Sequence, residues 1–293
     1  MKTKKLIALI ALILMAATLL LTSCQKDLPA NNTPLPAGQQ KVTIYMNDDP
    51  ANYFKVLVDI RLVEVKTDTG RNHHDDFYYA GDDDNDDDNY GHDSYGQWDT
   101  LNIIPGIYDL LRLRNGADTL LAKGNSWNGR ISKIRITLGS NSTLWTDNVN
   151  NFPLTICNSK PYVYVKVAAN TIDTLAGGEV IMRIDFDVAK SIKNKGGDYC
   201  LKPEIKAYSE HTTGSIEGKV LPKEANAMVT VFNATDTAHA FPGNEGEYKI
   251  KGLKEGTYSV HFVATSPYLD STISNIMISN GKETKLQNVM LRK

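Results

Sequence analysis

Helical periodicity is the first thing missing. Past residue 24 almost no stretch repeats its apolar residues at the three- and four-residue spacing of an amphipathic helix, which excludes a helical bundle. Long apolar runs are scarce as well. The most apolar stretch, residues 6–21, holds 16 residues, short of the roughly 20 that a helix needs to cross a bilayer. No basic stripe exists to neutralise a row of phosphates, so nucleic acid is excluded as a partner. Cysteine is rare, at three residues, and neither Cys157 nor Cys200 has a histidine spaced for a thiolate nucleophile or a zinc site. No nucleophile, base and glycine-rich oxyanion loop fall together anywhere, so no enzymatic activity is expected.

What the chain does have begins at its start. Lys2, Lys4 and Lys5 precede the apolar run, and Leu21-Thr22-Ser23-Cys24 follows it, the order of a secretory signal. The tetrapeptide resembles the bacterial lipobox. That resemblance implies removal of residues 1–23, diacylation of Cys24 (palmitate being the typical chain) and anchoring in the outer membrane, facing the periplasm or the cell surface. Two acyl chains hold a protein stably where one is marginal, so membrane lipid is the expected partner. Residues 24–40 form the lipidated tether. Its part from 25 to 40, rich in Pro, Asn and Gly, spans roughly 20–25 Å on average when flexible. Gln25-Lys26-Asp27 resembles an export signal of Bacteroidetes surface lipoproteins, although Leu28 interrupts it. With Cys24 lipidated, Cys157 and Cys200 remain as an even pair in an oxidising compartment. They form either a disulfide or two buried thiols in adjacent strands.

The formal charge of −2 conceals a segregated pattern. Residues 71–98 hold nine Asp against one Arg, while the rest of the mature chain holds 28 Lys+Arg and 25 Asp+Glu. The body is near neutral, and one segment carries the acidity. The 270 residues left after cleavage suit two domains.

From Lys41 the pattern is that of strands. Val42, Ile44 and Met46 alternate with polar neighbours. Val56, Val58, Ile60 and Leu62 share a face, and Val63 and Val65 change phase, which predicts a bulge or bend near Leu62. Asn115-Gly116, between Ile107–Leu113 and Thr119–Ala122, is a hairpin signal. Strands are expected around Ile134, at 152–156, at 162–167 and at 180–186, and Asp187 is placed to cap a short helical turn. Short strands separated by Gly, Asn and Pro predict an all-β chain of two sandwich domains.

Two resemblances fit this reading. Asn47-Asp48-Asp49-Pro50, Tyr108 to Gly116, Ile134 to Gly139, Asp185 to Ile192 and Leu201 to Ile205 stand in the order of a domain-of-unknown-function family of bacterial lipoproteins. The likeness spans 41–208, with an acidic insertion at 67–98, and implies a β-rich secreted domain without an activity. After the polar joint Ser209–Thr213, Gly214 to Val220, Met228 to Phe232 and Gly246 to Val260 resemble the carboxypeptidase regulatory-like domain. That implies a seven-stranded, transthyretin-like Greek-key sandwich over 214–293, often a rigid spacer, in a fold group that includes starch-binding modules. Gly252 and Gly256 bracket a tight connection where positive φ is expected.

Chemistry is sparse. In the acidic segment Asp82, Asp84, Asp86 and Asp88 could converge on a hard cation such as Ca²⁺, but the spacing is not that of an EF-hand, and a solvated acidic loop is the simpler reading. His73, His74 and His92 lack the pairing of a transition-metal site. Phe77, Tyr78, Tyr79, Tyr90, Tyr95 and Trp98 set rings beside carboxylates, as sugar recognition does, or else belong to the sheet and core, with Trp98 a core anchor. Asp185 and Asp187 share a strand face without a catalytic partner. Asp99-Thr100, Asp118-Thr119, Asp173-Thr174, Asp236-Thr237 and Asp270-Ser271 resemble a Bacteroidetes O-glycosylation sequon, with Thr100, Thr119, Thr174, Thr237 and Ser271 as acceptors. The function expected is a lipid-anchored, cofactor-free binding or assembly module that meets a glycan or another envelope protein and holds its first domain away from the membrane. The alternative is a glycan binder that uses Ca²⁺ or another metal at 73–93.

Overall fold

The computed structural model describes residues 35–49, 51–68, 96–157, 160–175 and 178–293. Their architecture is all-β: several sheets packed as sandwiches, with helix confined to single short turns.

Burial of one face explains the first strand, Gln39–Asp49. Val42, Ile44 and Met46 are wholly buried, and such side chains stabilise by about 1.5–3 kcal/mol each when fully buried. This strand runs parallel to Val180–Asp187 and antiparallel to Thr119–Trp127. Ile172–Thr174 and Ile205–Tyr208 complete its five-stranded sheet. A seven-stranded sheet is built on the long strand Lys55–Asp68, which pairs with Arg130–Leu138 on one side and Gln97–Leu101 on the other. The register shifts between Ile60 and Leu62. That bulge lets Val56, Val58 and Ile60, then Val63 and Val65, all face inward, and it is the change predicted near Leu62. Both sheets contribute to one continuous apolar core.

Four further readings meet the structure with different outcomes. Asp187 does cap the turn Val188–Ser191, accepting from the Lys190 backbone N–H at 2.9 Å. Asn115-Gly116 does not close a hairpin. The strand before it, Gly106–Asp109, pairs with Lys55–Asp68, and the strand after it pairs with Gln39–Asp49 in the other sheet. The reason is the 3₁₀ turn Leu110–Leu113, whose buried Leu110 and Leu111 pull the chain into the core between the two strands. Asn115 and Gly116 keep the positive φ of 57° and 73° that such a turn needs, but the turn links sheets. Gln39 and Gln40, the last two residues of the tether reading, are strand. Cys157 and Cys200 are joined by a disulfide, with 5.0 Å between their Cα atoms. It staples a small sheet of Ile192–Lys195, Asp198–Leu201 and Thr155–Ile156.

A second, separate core lies in residues 216–291. Gly214–Leu221 pairs with Glu247–Leu253, Glu283–Lys285 and Val289–Met290. Met228–Phe232 pairs with Thr237–Ala240 and Gly256–Val263, and Ser271–Ile278 forms the edge beyond. Eight strands are described where seven were expected, and one of them, Val289–Met290, has two residues. Tyr248 and Tyr258 are buried in this core beside Ile250 and Val260, the first meeting Phe262 edge-on at 5.9 Å. Gly252 takes φ +71° and lies against the Tyr208 ring, so the connection there needs glycine both for conformation and for space.

Gln39–Asp49 spans the first domain, and its eleven residues rise roughly 35 Å. At its start Gln39 faces Trp127, and Gln40 donates to the Gly129 carbonyl at 3.0 Å. Asp68, the last described residue before the acidic segment, faces Arg130 at that same end. At the opposite end Asn47 accepts from Tyr208 Oη at 3.1 Å, Asn115 Nδ2 donates to the Phe241 carbonyl at 2.7 Å, and Lys251 pairs with Asp118 at 2.8 Å. The chain therefore enters at one end of the first sandwich, and the second sandwich is docked on the other.

Candidate functional site

The surface with the most chemistry is the outer face of the seven-stranded sheet. Alternation sends Val63, Val65, Ile134 and Ile136 inward, so Glu64, Lys66, Lys133 and Arg135 must face outward. Glu64 stands opposite Arg135, which stands opposite Tyr164 on the next strand, Tyr162–Lys166. Trp98, on Gln97–Leu101, stands opposite Lys66.

An outward-facing charge is ordinarily wet, yet Glu64 is 8% and Lys66 7% exposed. The rings explain this. Trp98 and Tyr164 lie on strands separated by two others, but their centroids are 5.9 Å apart, so the side chains meet above the intervening strands. Tyr162 extends the row, 5.3 Å from Tyr164. Beneath this roof Arg135 Nε donates to Glu64 Oε2 at 2.6 Å and Nη2 to Oε1 at 2.7 Å, a two-pronged pair. Its guanidinium stacks on Trp98 at 4.4 Å, a cation–π contact. The bonds to Glu64 hold the guanidinium pKa above its ordinary value, against the opposing effect of burial. Lys133 lies 5.8 Å from the Tyr164 ring. The result is a half-buried surface of contiguous rings, tilted 30° and 56° to one another and underlaid by fixed charges.

Of the residues singled out in the sequence, Trp98 alone among the six aromatics is described. It is on the outer face and not in the core, because its strand places it in phase with Lys66. Cys24, the metal candidates Asp82, Asp84, Asp86 and Asp88, the histidines at 73, 74 and 92 and the other five aromatics lie outside the described residues. Among the described residues no group of His, Cys, Asp or Glu is arranged to hold a metal ion. Thr100, Thr174 and Thr237 are exposed, and Thr119 and Ser271 are half-buried. Asp187 pairs with Lys190 at 2.6 Å, while Asp185 accepts from Asn47 Nδ2 at 3.4 Å. Glu64, Arg135 and Tyr164 carried no signal in the sequence. Their alternation placed them outside, but the register that joins three strands could not be read from it.

A cavity of about 520 Å³ opens at the end where Gln39 enters, between Ile131, Ile172 and Val180, with Gln40 and Arg130 on its rim.

Comparison with curated proteins gave no match. Among solved structures, a type II cohesin–X-dockerin complex of Acetivibrio cellulolyticus matches at 22% identity over 27% of this chain and 56% of that one, with a TM-score of 0.23. The Bacillus anthracis TIE protein matches at 13% over 87% and 34%, with a TM-score of 0.21. The shaft pilin SpaA of Lactobacillus rhamnosus GG matches at 10% over 86% and 97%, with a TM-score of 0.23. This chain thus spans about half of the first and a third of the second, and similarity this low assigns no site or activity to it. A family model described as a domain of unknown function (DUF4382) matches residues 39–203, more than half of the chain and the whole of the sheet that carries Trp98, Glu64, Arg135 and Tyr164. The protein belongs to that family.

Proposed function

We propose that the protein is a lipid-anchored, non-catalytic binding and assembly module of a bacterial envelope, held in the outer membrane by acylated Cys24. The observation that carries this reading is the polarity of the first domain. The chain arriving from Cys24 enters at Gln39, and the second sandwich is held at the far end through Asn115 and Asp118, with Tyr208 of the first domain against Gly252 of the second. An anchored molecule of this shape holds its first domain next to the tether and its second domain farthest out. The second domain is then a tip and not the spacer beneath the first. Its two four-stranded sheets around Tyr248 and Tyr258 support a carboxypeptidase regulatory-like identity.

The anchoring is tested by Cys24→Ala. The wild-type chain is expected in the membrane fraction and the variant in the soluble fraction, with diacyl mass on the N-terminal peptide of the former only. An intact, unlipidated Met1 terminus in the wild type would sink the reading.

A further inference from the structure

We propose that the Trp98–Tyr164–Tyr162 face binds a neutral glycan by stacking, without a metal ion. The inference rests on the reading of the protein as a binding module and gives that module a ligand class.

Three observations carry it. First, the rings form a row, with centroids 5.9 and 5.3 Å apart, on a sheet face and not in a core. The apolar C–H face of a pyranose stacks on such rings, and successive rings suit successive sugars. Second, the groups beside the rings are fixed before any ligand arrives. Arg135 is held by two bonds to Glu64 and by the Trp98 ring. Two of its five N–H groups are used on Glu64. A further bond ties the guanidinium to Tyr164, and its side chain, 27% exposed, keeps the remaining donors within reach of hydroxyl groups, while Glu64 stays under the rings. A rigid polar set loses little entropy on binding. Third, the surface is half-buried, so the rings are held in place, yet each keeps part of its area in solvent. A purely structural role needs the roof over Glu64 but not the third ring, Tyr162, which lies beyond it.

This site differs from a calcium-dependent one in the acidic segment, and one experiment separates them. The mature, detergent-solubilised chain is run in native gels that contain a soluble β-glucan, an α-mannan, a xylan or a dextran, with and without chelator. Retardation by at least one polysaccharide is expected, unchanged by chelator. Trp98→Ala should weaken it tenfold or more, Tyr164→Ala should weaken it as well, and Trp98→Phe, which keeps a ring, should retain most of it. Melting curves check that each variant folds. Absence of retardation in every gel would overturn the proposal. So would retardation of both alanine variants equal to wild type, or retardation abolished by chelator, which would move binding to the acidic segment. None of these outcomes alters where the wild-type chain fractionates, so a failure here is distinct from a failure of the anchoring reading.

Discussion

Asp173 shows what a single buried carboxylate organises at the joint between the domains. Its side chain, 4% exposed, accepts from Ser209 Oγ, meets His211 Nδ1 at 2.8 Å and meets Arg183 Nη1 at 3.3 Å. Burial pushes the carboxyl pKa up, but the bond from Ser209, the bond and charge of His211 and the charge of Arg183 together outweigh it and hold it below the ordinary value. A carboxyl with a depressed folded pKa stabilises the fold above the ordinary carboxylate range, and the contribution disappears as pH falls through the folded value. Melting temperature followed from pH 6 downward should therefore show wild type above Asp173→Asn, with the gap closing below roughly pH 4. A gap that stays constant through that range would refute the assignment. None of this was legible in the sequence, where Asp173 reads as part of a three-residue sequon and its partners lie 36 and 38 positions downstream. The other sequon acids have similar employment. Asp99 accepts from the Trp127 backbone N–H at 3.1 Å, Asp236 from Tyr258 Oη at 3.3 Å and Asp270 from the Ala264 backbone N–H at 2.8 Å, so these aspartates have a use whether or not the neighbouring hydroxyl is modified.

Elements were legible where periodicity alone defines them. The alternation of Val42, Ile44 and Met46, the phase change at Leu62 and the capping by Asp187 are local properties, and each appears in the structure. Partners of elements were not legible, because pairing depends on residues distant in the chain. The strands on either side of Asn115-Gly116 join different sheets for this reason, and Trp98 meets Tyr164 across two intervening strands for the same one. The three-stranded sheet around the disulfide is the element most dependent on a single link. It buries Leu201 and Ile192 but is short, and its strand Thr155–Ile156 has two residues. Cys157–Cys200 closes a loop across 43 positions, and loop-closure entropy for such a bridge gives about 2–4 kcal/mol. Cys200→Ser should therefore lower the melting temperature, and hydrogen exchange should quicken first in residues 192–201 while Val42–Met46 stay protected. Uniform loss of protection across both regions would show that the small sheet is not an independent element.

At the scale of the molecule, the question is whether two separately cored sandwiches move as one body. Their contact is largely polar. Lys251, on the second domain, has a side chain 15% exposed and pairs with Asp118 of the first domain at 2.8 Å and with Glu210 of the joint at 3.3 Å. Arg183 holds Glu210 from the first domain at 3.0 Å, so the chain of charges runs unbroken from one sandwich to the other. Tyr208, buried next to Gly252 and bonded to Asn47, adds an apolar contact at the same place. The joint itself is bound as well, since Thr213 Oγ1 donates to the Ser209 carbonyl and Thr212 Oγ1 to that of Asn170, both at 2.5 Å. Polar interfaces between domains ordinarily permit relative motion. Here a single half-buried lysine satisfies two carboxylates, so reversing its charge should leave three acids facing one another and cost more than the lost pair alone. Lys251→Glu is expected to increase the radius of gyration and maximum dimension in small-angle scattering and to open residues 209–213 to protease. Both cores should remain folded by near-ultraviolet dichroism. Asp118→Lys in the same chain should restore compactness, because it restores the pair with its signs exchanged. Scattering curves of Lys251→Glu and wild type that superimpose would show that Tyr208 and the bound joint hold the domains without this lysine. On the proposed reading of an anchored assembly module, a molecule kept rigid in this way would transmit the position of its anchored end to its tip.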